Sequence, residues 1–547
     1  MVYTIDLRSI AARRESSSLS PSTAFMNSKL PKWLLFCLIA LALYGVSLYG
    51  DFVFDDRGIV DHYAVLQNPF ELKQIFSLPY WTEEAGLYRP VTLLSYGVNF
   101  LFLGISPVGF HFVNILLYGF IAYFLYKLLK ALYADETHAF LAAIIFIFLP
   151  IHSEVVANVT GRSELLALFF SLLFLIEVTK EKINPWKLGI FLFLAIASKE
   201  TGIAVLPIAL IVLYIKEKNI SLYPILASLT AVLCYFSFRL LVLGQEYFLG
   251  IETSIVENPL IKALWQERLP TSLSILSMYV KKTFVPQNLC SDYSFNQIST
   301  ISNFFHIGPI MGIIIFIAAI ISIFYFIKRD PRVSLGSAFF LFAFLPISNL
   351  FFPIGTIAGE RLMFYPSVGL AIISSVICLK IYNYLLSKKE LYAKIGLGIF
   401  ITLMFIYAFI SIQRSIDWLS EKRLFLSASK CAPNSILSLS NLGTVYYFES
   451  KYEEAEKVLL QSIDIYDGYS KGLNNLGLVY WKMGKIDEAK KYYHRSLQAQ
   501  FPYPGAIENM GLLYLSIGDM RAARRWLNVF YPNKKQEIDS YLKQYAK

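Results

Sequence analysis

Two adjacent carboxylates, Asp55 and Asp56, lie a few residues beyond the first long apolar segment of the chain. Charged side chains at the edge of a bilayer are costly to keep there and commonly serve a function. Neighbouring carboxylates tend to raise the pKa of one member while the other stays ionised. The pair therefore suits general-base chemistry, in which one carboxylate takes a proton from a hydroxyl and the other positions a substrate or an ion. The alternative is a structural role, with the pair capping a short interfacial helix.

Further ionisable residues lie near the predicted outer ends of apolar segments. Arginine suits a phosphate group because it can donate two parallel hydrogen bonds; the alternatives are contacts with lipid headgroups or ion pairs at the membrane edge. The candidate phosphate-binding cations are Arg89, Arg162, Lys199, Arg239 and Arg361. The supporting polar residues are His152, Glu154, Glu164, Glu200 and Glu360. His152 and Glu154 could complete a divalent-cation site with the Asp pair, or His152 could serve as a hydrogen-bonding interface residue.

The composition defines the class of protein that must position these residues. Of 547 residues, 56% are hydrophobic and 16% are charged, and the mean hydropathy is +0.53, which is typical of a membrane protein. The formal charge of +10 comes from short basic clusters between apolar segments, as in cytoplasmic loops, so nucleic acid is not a predicted partner. The five cysteines indicate no disulfide framework, and we expect Cys290 and Cys431 to stay unpaired.

Apolar segments predict an all-α bundle of about eleven membrane spans. They cover residues 32–49, 108–130, 138–151, 161–178, 186–198, 201–215, 221–243, 307–327, 334–352, 361–384 and 392–412. Alternate connections are basic, which predicts a cytoplasmic N-terminus and a C-terminal region outside. Two short spans meet at Lys199 and Glu200, so their tip is predicted to lie below the outer surface and face a cavity. Residues 271–284 suit an interfacial helix; an extra span pair there would give twelve or thirteen crossings.

The remaining segments define the domains. Residues 1–31 are polar and Ser-rich, which predicts a disordered cytoplasmic N-terminus, and Met26 is a candidate alternative start. The membrane domain, 32–412, carries an outer catalytic loop at 50–107 and a second outer loop at 244–306. Residues 413–433 are predicted to be a linker.

A 34-residue period begins beyond the linker, in residues 434–547. Asn-Leu-Gly-x-x-Tyr at Asn441 recurs at Asn475 and, as Asn-Met-Gly-x-x-Tyr, at Asn509. This spacing predicts three tetratricopeptide repeats followed by a capping helix. The three asparagines either satisfy backbone groups between helices or line a groove that binds extended polypeptide.

The outer segments resemble the transmembrane and tetratricopeptide-repeat O-mannosyltransferase family, which belongs to the GT-C class of lipid-phosphosugar glycosyltransferases. The resemblance runs in order through residues 32–535. It is carried by Phe52-Val53-Phe54-Asp55-Asp56, Tyr88-Arg89-Pro90, Gly109-Phe110-His111-x-x-Asn114, Pro150-Ile151-His152-Ser153-Glu154, Gly161-Arg162-Ser163-Glu164-Leu165, Ser198-Lys199-Glu200-Thr201-Gly202, Glu257-Asn258-Pro259, Gly359-Glu360-Arg361-Leu362 and Tyr365-Pro366-Ser367. The chain departs from the family at Leu149, where a histidine is usual, which disfavours a metal site with two histidines.

The resemblance implies a GT-C-like membrane glycosyltransferase. It would move a sugar, mannose in this family, from a polyprenyl-phosphate donor to Ser or Thr hydroxyls of an acceptor protein, with Asp55 or Asp56 as the general base. Membrane lipid, the donor and an acceptor or partner protein bound by the repeats are the predicted partners, and a divalent cation stays open. The repeats would face a bacterial periplasm or the endoplasmic reticulum lumen, and the short repeat array favours the periplasm. The alternatives are a non-catalytic scaffold of an envelope complex and the same enzyme class acting on a lipid or glycan.

Overall fold

The computed structural model describes residues 30–61, 66, 69–81, 86–217, 221–248 and 254–545. The predicted disordered segment, apart from Leu30 and Pro31, lies outside these ranges, as does the candidate start Met26. Every regular element within them is helical, which confirms the all-α fold. The α-helices of the membrane half are α1 Lys32–Tyr44, α2 Arg57–Asp61, α3 Leu72–Phe76, α4 Pro90–Leu103, α5 Pro107–Tyr133, α6 Glu136–Phe148, α7 Ser153–Ala157, α8 Arg162–Thr179, α9 Pro185–Ser198, α10 Val205–Ile215, α11 Leu222–Tyr247, α12 Trp265–Phe284, α13 Ile307–Phe326, α14 Pro331–Phe344, α15 Ser367–Lys388 and α16 Glu390–Asp417. They are followed by α17 Glu421–Cys431, α18 Ile436–Phe448, α19 Tyr452–Ile465, α20 Ser470–Lys482, α21 Ile486–Gln498, α22 Gly505–Ser516, α23 Met520–Phe530 and α24 Lys535–Tyr545.

A helix lies at each of the eleven predicted spans. Within the described ranges, seven helices are long and apolar enough to cross a membrane, and a bent pair, Glu136–Phe148 with Pro150–Ala157, makes eight if it is one span. The other predicted spans correspond to shorter apolar helices at Pro185–Ser198, Glu200–Ile215 and Pro331–Ile347. The chain is therefore an integral, multi-pass membrane protein. Residues 271–284 fall within α12, which is not among the candidate spans.

Ion pairs gather several predicted cytoplasmic connections at one end of the bundle. Arg332 lies 3.2 Å from Asp135 and 2.8 Å from Asp330, which also lies 3.0 Å from Lys380. Helix α5 ends beside this cluster and, with its 27 residues, extends roughly 40 Å to the opposite end. The predicted catalytic residues gather at that opposite end.

The repeat domain follows the predicted period. Helices α18 to α23 form three pairs, and α24 packs against the last pair as the capping helix. The glycine of the motif permits this packing, because a Cβ on Gly477 would lie 2.6 Å from the Tyr493 ring. The central part of the predicted linker at 413–433 forms helix α17. There Ser420 caps α17, whose Leu424, Phe425 and Ala428 are buried. The helix is amphipathic, but the charged residues of the segment obscure that pattern in the sequence.

The repeat domain is tied to the predicted outer loops of the membrane half. Contrary to expectation, Cys290 and Cys431 form a disulfide, with their Cα atoms 5.8 Å apart; sequence separation carried no information about this distance. Beside it, the Asn296 amide donates to the Asn434 carbonyl at 2.9 Å, and the Ile436 amide donates to the Phe295 carbonyl at 2.8 Å. A buried apolar cluster also joins the loop at Val53, helix α7, the segment 418–425 and the first repeat. Its members are Val53, Ala157, Trp418, Leu424, Phe425, Leu442 and Val445. The first repeat therefore lies at the same end of the membrane half as the predicted catalytic residues.

Candidate active site

A tight 3-10 turn over Phe54–Asp56 presents the two carboxylates. Phe54 has a φ of 58°, a left-handed backbone conformation that is strained for a bulky residue. Asp56 is 1% exposed, and its carboxylate accepts hydrogen bonds from the backbone amides of Val53 (3.3 Å), Val159 (3.3 Å) and Thr160 (2.9 Å). Asp56 therefore stabilises the strained turn, while Asp55 is half-buried and lines a cavity.

The turn that receives Asp56 depends on a close backbone approach. A Cβ on Gly161 would lie 2.1 Å from the Val155 carbonyl oxygen, so only glycine fits here. This contact packs α7, which carries Glu154, against the turn Val159–Gly161 at the start of α8. The Gly161-Arg162 motif thus brings Glu154 and the Asp turn to one place.

The cavity measures about 760 Å³ and lies between the predicted catalytic loop and the neighbouring ends of the spans. This volume falls in the range usual for ligand pockets. Five carboxylates line it: Asp55, Glu154, Glu164, Glu200 and Glu257. Four cations line it as well: Arg89, Lys199, Arg239 and Arg361. The predicted tip at Lys199 and Glu200 does face a cavity, as the sequence indicated.

Each of these cations has an acidic partner. Arg89 and Arg239 share Glu200, with N–O distances of 3.1 and 3.2 Å. Lys199 contacts Glu164. The remaining pair is Arg361 and Glu154, whose Nη1 and Oε1 atoms lie 2.6 Å apart.

Arg361 is the most accessible of the four. Its side chain is 32% exposed, against 9–13% for Arg89, Lys199 and Arg239. Among the described residues it donates side-chain hydrogen bonds only through Nη1 to Glu154. Its Nε and Nη2 hydrogens therefore stay available to an anion in the cavity.

The electrostatics of Asp55 suit a base. Burial raises the pKa of Asp55, and Glu154 raises it further, while the Arg361, Lys471 and Arg89 cations act in the opposite direction. Burial disfavours the charged form of Arg361, but Glu154 and Asp55 outweigh burial, so the pKa of Arg361 is raised. Asp55 is thus a carboxylate with increased proton affinity beside a guanidinium that stays charged.

Arg162, a predicted phosphate-binding residue, does not line this cavity. Its buried guanidinium donates to the side-chain oxygens of Asn114 (2.8 Å) and Asn99 (3.0 Å) and to the carbonyls of Phe110 (2.7 Å) and Ser95 (3.4 Å). These acceptors come from α4 and α5. Arg162 therefore stabilises the packing of α8 against these helices, in place of the predicted phosphate contact.

Replacing Arg162 with Met should lower stability without changing donor binding. The substitution leaves several buried oxygens without donors, which costs roughly 3 kcal/mol in the free energy of unfolding. The thermal midpoint of the purified protein in detergent measures this loss, and the KM for the donor should stay unchanged in the folded fraction. Arg57→Met is the control, because the Arg57 side chain is 60% exposed in its pair with Glu421. A raised donor KM in the Arg162 variant would indicate that Arg162 binds the donor phosphate, as the sequence predicted.

His152 and Glu360 also lie outside the cavity lining. The His152 ring nitrogens are 2.8 Å from the Tyr118 hydroxyl and 2.7 Å from the Ser367 hydroxyl, so the residue packs between spans. Glu360 is buried and accepts from the Tyr293 hydroxyl at 2.7 Å and from the Cys290 amide; burial raises the pKa of Glu360 to about 7. The described residues contain no group of three His, Cys, Asp or Glu that could hold a metal ion. His152 therefore does not fit the cation site that the sequence suggested.

The three repeat asparagines have different surroundings. Asn475 donates to the Thr444 hydroxyl at 2.9 Å, and Asn509 donates to the Asn474 side-chain oxygen at 2.8 Å. Both contacts join neighbouring repeats, as the structural interpretation of these residues predicted. Asn441 instead lines a second cavity, described below, together with Asp55.

Glu257 and Lys471 are site residues that the sequence did not single out. Glu257 lines the cavity, and burial raises its pKa, with a smaller contribution from Asp55. Its signal was the Glu257-Asn258-Pro259 motif, which was noted without a role. Lys471 belongs to the second repeat and still acts electrostatically on Asp55; a repeat lysine carries no local signal that would place it there.

Comparison with known proteins supports both halves of this description. Tetratricopeptide-repeat models match residues 436–466 and 470–500. The chain is 28% identical over 455 residues to a protein O-mannosyl-transferase of Caenorhabditis elegans, covering 80% of this chain and 63% of the relative. It is 26% identical to the human protein O-mannosyl-transferase TMTC3 (80% and 52%) and 29% identical to mouse TMTC4 (76% and 64%). The chain thus spans between 52% and 64% of the length of these relatives.

The fold and the site define an all-α, multi-pass membrane protein with a tetratricopeptide-repeat domain and a charged cavity at one face. The relatives then show what the whole chain resembles. Over about four fifths of its length it is similar to protein O-mannosyl-transferases, and its C-terminal region matches tetratricopeptide-repeat models.

Proposed function

We propose that this protein transfers mannose from a polyprenyl-phosphate carrier to Ser or Thr hydroxyls of proteins at the outer face of the membrane. The observation that carries the proposal is the placement of Asp55, a carboxylate with a raised pKa, in a cavity lined by four cations. The names of the relatives favour mannose and a protein acceptor. The disulfide between Cys290 and Cys431 supports an outer face, since such bonds persist in oxidising compartments.

In the proposed reaction, Asp55 takes the proton of the acceptor hydroxyl. The hydroxyl oxygen forms a bond to the anomeric carbon of the sugar. The bond between that carbon and the phosphate oxygen breaks, and polyprenyl phosphate leaves with the electron pair. Asp56 holds the turn and takes no part in proton transfer, because its carboxylate already accepts three backbone hydrogen bonds.

The departing phosphate requires positive charge more than a general acid. Arg361 suits this role because it is the most exposed cation of the cavity and acts electrostatically on Asp55. Arg89, Lys199 and Arg239 place further positive charge on the cavity wall. A divalent cation stays a prediction of the sequence alone. The test compares the rate of transfer in EDTA with the rate after Mg²⁺ or Mn²⁺ is added back.

The carrier lipid would approach from the apolar side of the same cavity. Phe236 and Phe248 line the cavity at the outer end of α11, and Phe352 lines it from the segment that follows α14. Most of the residues of helix α11 are exposed on the surface of the bundle. An exposed apolar helix beside a charged cavity suits a lipid substrate whose headgroup lies inside.

The test of this function is transfer of labelled mannose by the purified protein. Wild-type protein in nanodiscs receives polyprenyl-phosphate mannose and a Ser- or Thr-containing polypeptide, and both labelled polypeptide and donor consumption are measured. Labelled polypeptide is the expected product. No donor turnover would favour the scaffold interpretation, and transfer to lipid or glycan alone would favour the alternative acceptors.

The pH profile should report the ionisation of Asp55. Because the base must be ionised, kcat falls as pH decreases through the Asp55 pKa, and burial places that pKa above the ordinary aspartate value of about 3.9. Removing the Arg361 charge should raise the Asp55 pKa further and move the acidic limb to higher pH. An Arg361→Gln profile whose acidic limb is unchanged would contradict Asp55 as the titrating base.

A further inference from the structure

A second, smaller cavity adjoins the first at Asp55. It measures about 170 Å³. Residues Asp55, Glu257 and Arg361 line both cavities. The small cavity is also lined by Leu437, Ser438 and Asn441, which belong to the first helix of the first repeat, α18. The repeat domain thus forms a wall of the space that contains the proposed base.

The sizes of the two cavities assign them different occupants. A cavity of about 150 Å³ holds a group as large as benzene, so 170 Å³ accommodates one side chain and excludes a lipid-linked sugar. The larger cavity has the volume, the cations and the apolar side that the donor needs. A hydroxyl entering the small cavity would meet Asp55, which the two cavities share.

The wall formed by α18 carries the chemistry that recognises a polypeptide backbone. The Asn441 side-chain amide has both donor and acceptor groups, and within the described residues it makes no hydrogen bond. Its counterparts Asn475 and Asn509 are bonded to the adjacent repeats. Ser438 is fixed by its 2.9 Å hydrogen bond to Asp292, which holds the Asn441 turn of α18 in place.

We propose that the small cavity is the acceptor subsite, with Asn441 binding the backbone of an extended polypeptide whose Ser or Thr side chain reaches Asp55. The inference rests on the proposed function and specifies its substrate. The limited space, bordered by Phe54, Phe425 and Leu437, selects acceptors whose residues beside the Ser or Thr are small. The first repeat is thus an acceptor-binding part of the active site, and the later repeats lie farther from the chemistry.

The test compares Asn441→Ala with the matched control Asn475→Ala in the full-length protein. The probe is an alanine-rich peptide with one central Thr, and the donor is polyprenyl-phosphate mannose. Loss of one hydrogen bond should raise the peptide KM about tenfold in Asn441→Ala. The rate of donor hydrolysis, measured in the absence of peptide, should not change. Asn475→Ala should leave both values at the wild-type level. Tryptophan placed on both sides of the Thr should reduce transfer by the wild-type protein.

A second variant keeps the inference falsifiable if Asn441→Ala folds poorly. Leu437 is half-buried in the cavity wall, so Leu437→Trp should fill the cavity and raise the peptide KM while leaving the donor KM unchanged. A raised donor KM, or equal peptide KM values for the Asn441 and Asn475 variants of an active enzyme, would overturn the inference. Absence of donor turnover in the wild type would instead refute the proposed function, so the two failures are distinguishable.

Discussion

Replacing Asp55 with Asn is expected to lower kcat for mannosyl transfer by about 10²–10⁴-fold, the usual contribution of a general base. The amide cannot take the acceptor proton, and Asp55 makes none of the turn-stabilising hydrogen bonds that Asp56 makes. The folded yield and thermal midpoint should therefore stay near those of the wild type. Labelled transfer under saturating donor and peptide measures the loss.

The Asp56→Asn variant is the matched control, because it changes the adjacent carboxylate in the same way. An asparagine has one side-chain oxygen in place of two, so it cannot accept from Val53, Val159 and Thr160 together. We expect a lower thermal midpoint and a kcat per folded molecule well above that of Asp55→Asn. The opposite order, with Asp56→Asn folded but inactive and Asp55→Asn active, would assign the base to Asp56.

The second large effect is expected at Arg361. Arg361→Gln should lower kcat by about 10²–10³-fold, comparable with the loss of a preorganised donor to a developing anion. The guanidinium would stabilise the departing phosphate through the hydrogens that Glu154 leaves unused. Arg361→Lys keeps the charge and should retain part of the activity, because the planar arrangement of donors is lost.

Glu154 complicates this experiment. It is 1% exposed, and the Arg361→Gln substitution would remove the cation with which it forms an ion pair. A buried carboxylate without a partner destabilises a protein. The double variant Arg361→Gln, Glu154→Gln removes that unpaired charge and should restore the thermal midpoint without restoring kcat. Recovery of activity in the double variant would show that Arg361 acts only by neutralising Glu154.

The membrane spans and the repeats could be predicted because their signals are local. Hydropathy predicted eleven spans, and a helix lies at each of them. The recurrence of Asn441, Asn475 and Asn509 located the repeats. Helix α17, inside the predicted linker at 413–433, was missed for the opposite reason. The apolar face of α17, with Leu424 and Phe425, is recognisable only once the repeats and the catalytic turn supply a surface to cover it.

The roles of the charged residues depended on contacts between distant positions. Arg162 and Arg361 both lie at the predicted outer end of a span, and the sequence offered them the same phosphate role. Asn114, 48 residues away from Arg162, engages its guanidinium in a buried network. Glu154, 207 residues away from Arg361, pairs with one side of its guanidinium and leaves the rest facing the cavity. Partners at such separations leave no mark on the local pattern.

The sequence by itself determined the class of protein, the positions of its spans and the repeat domain, and it predicted a catalytic carboxylate at Asp55 or Asp56. These properties follow from composition, periodicity and ordered motifs along the chain. Only the tertiary structure separated the two aspartates. In a tight turn, adjacent side chains point in different directions, and the backbone amides of Val159 and Thr160, more than 100 residues away, bind Asp56. Asp55 is consequently the carboxylate that faces both cavities.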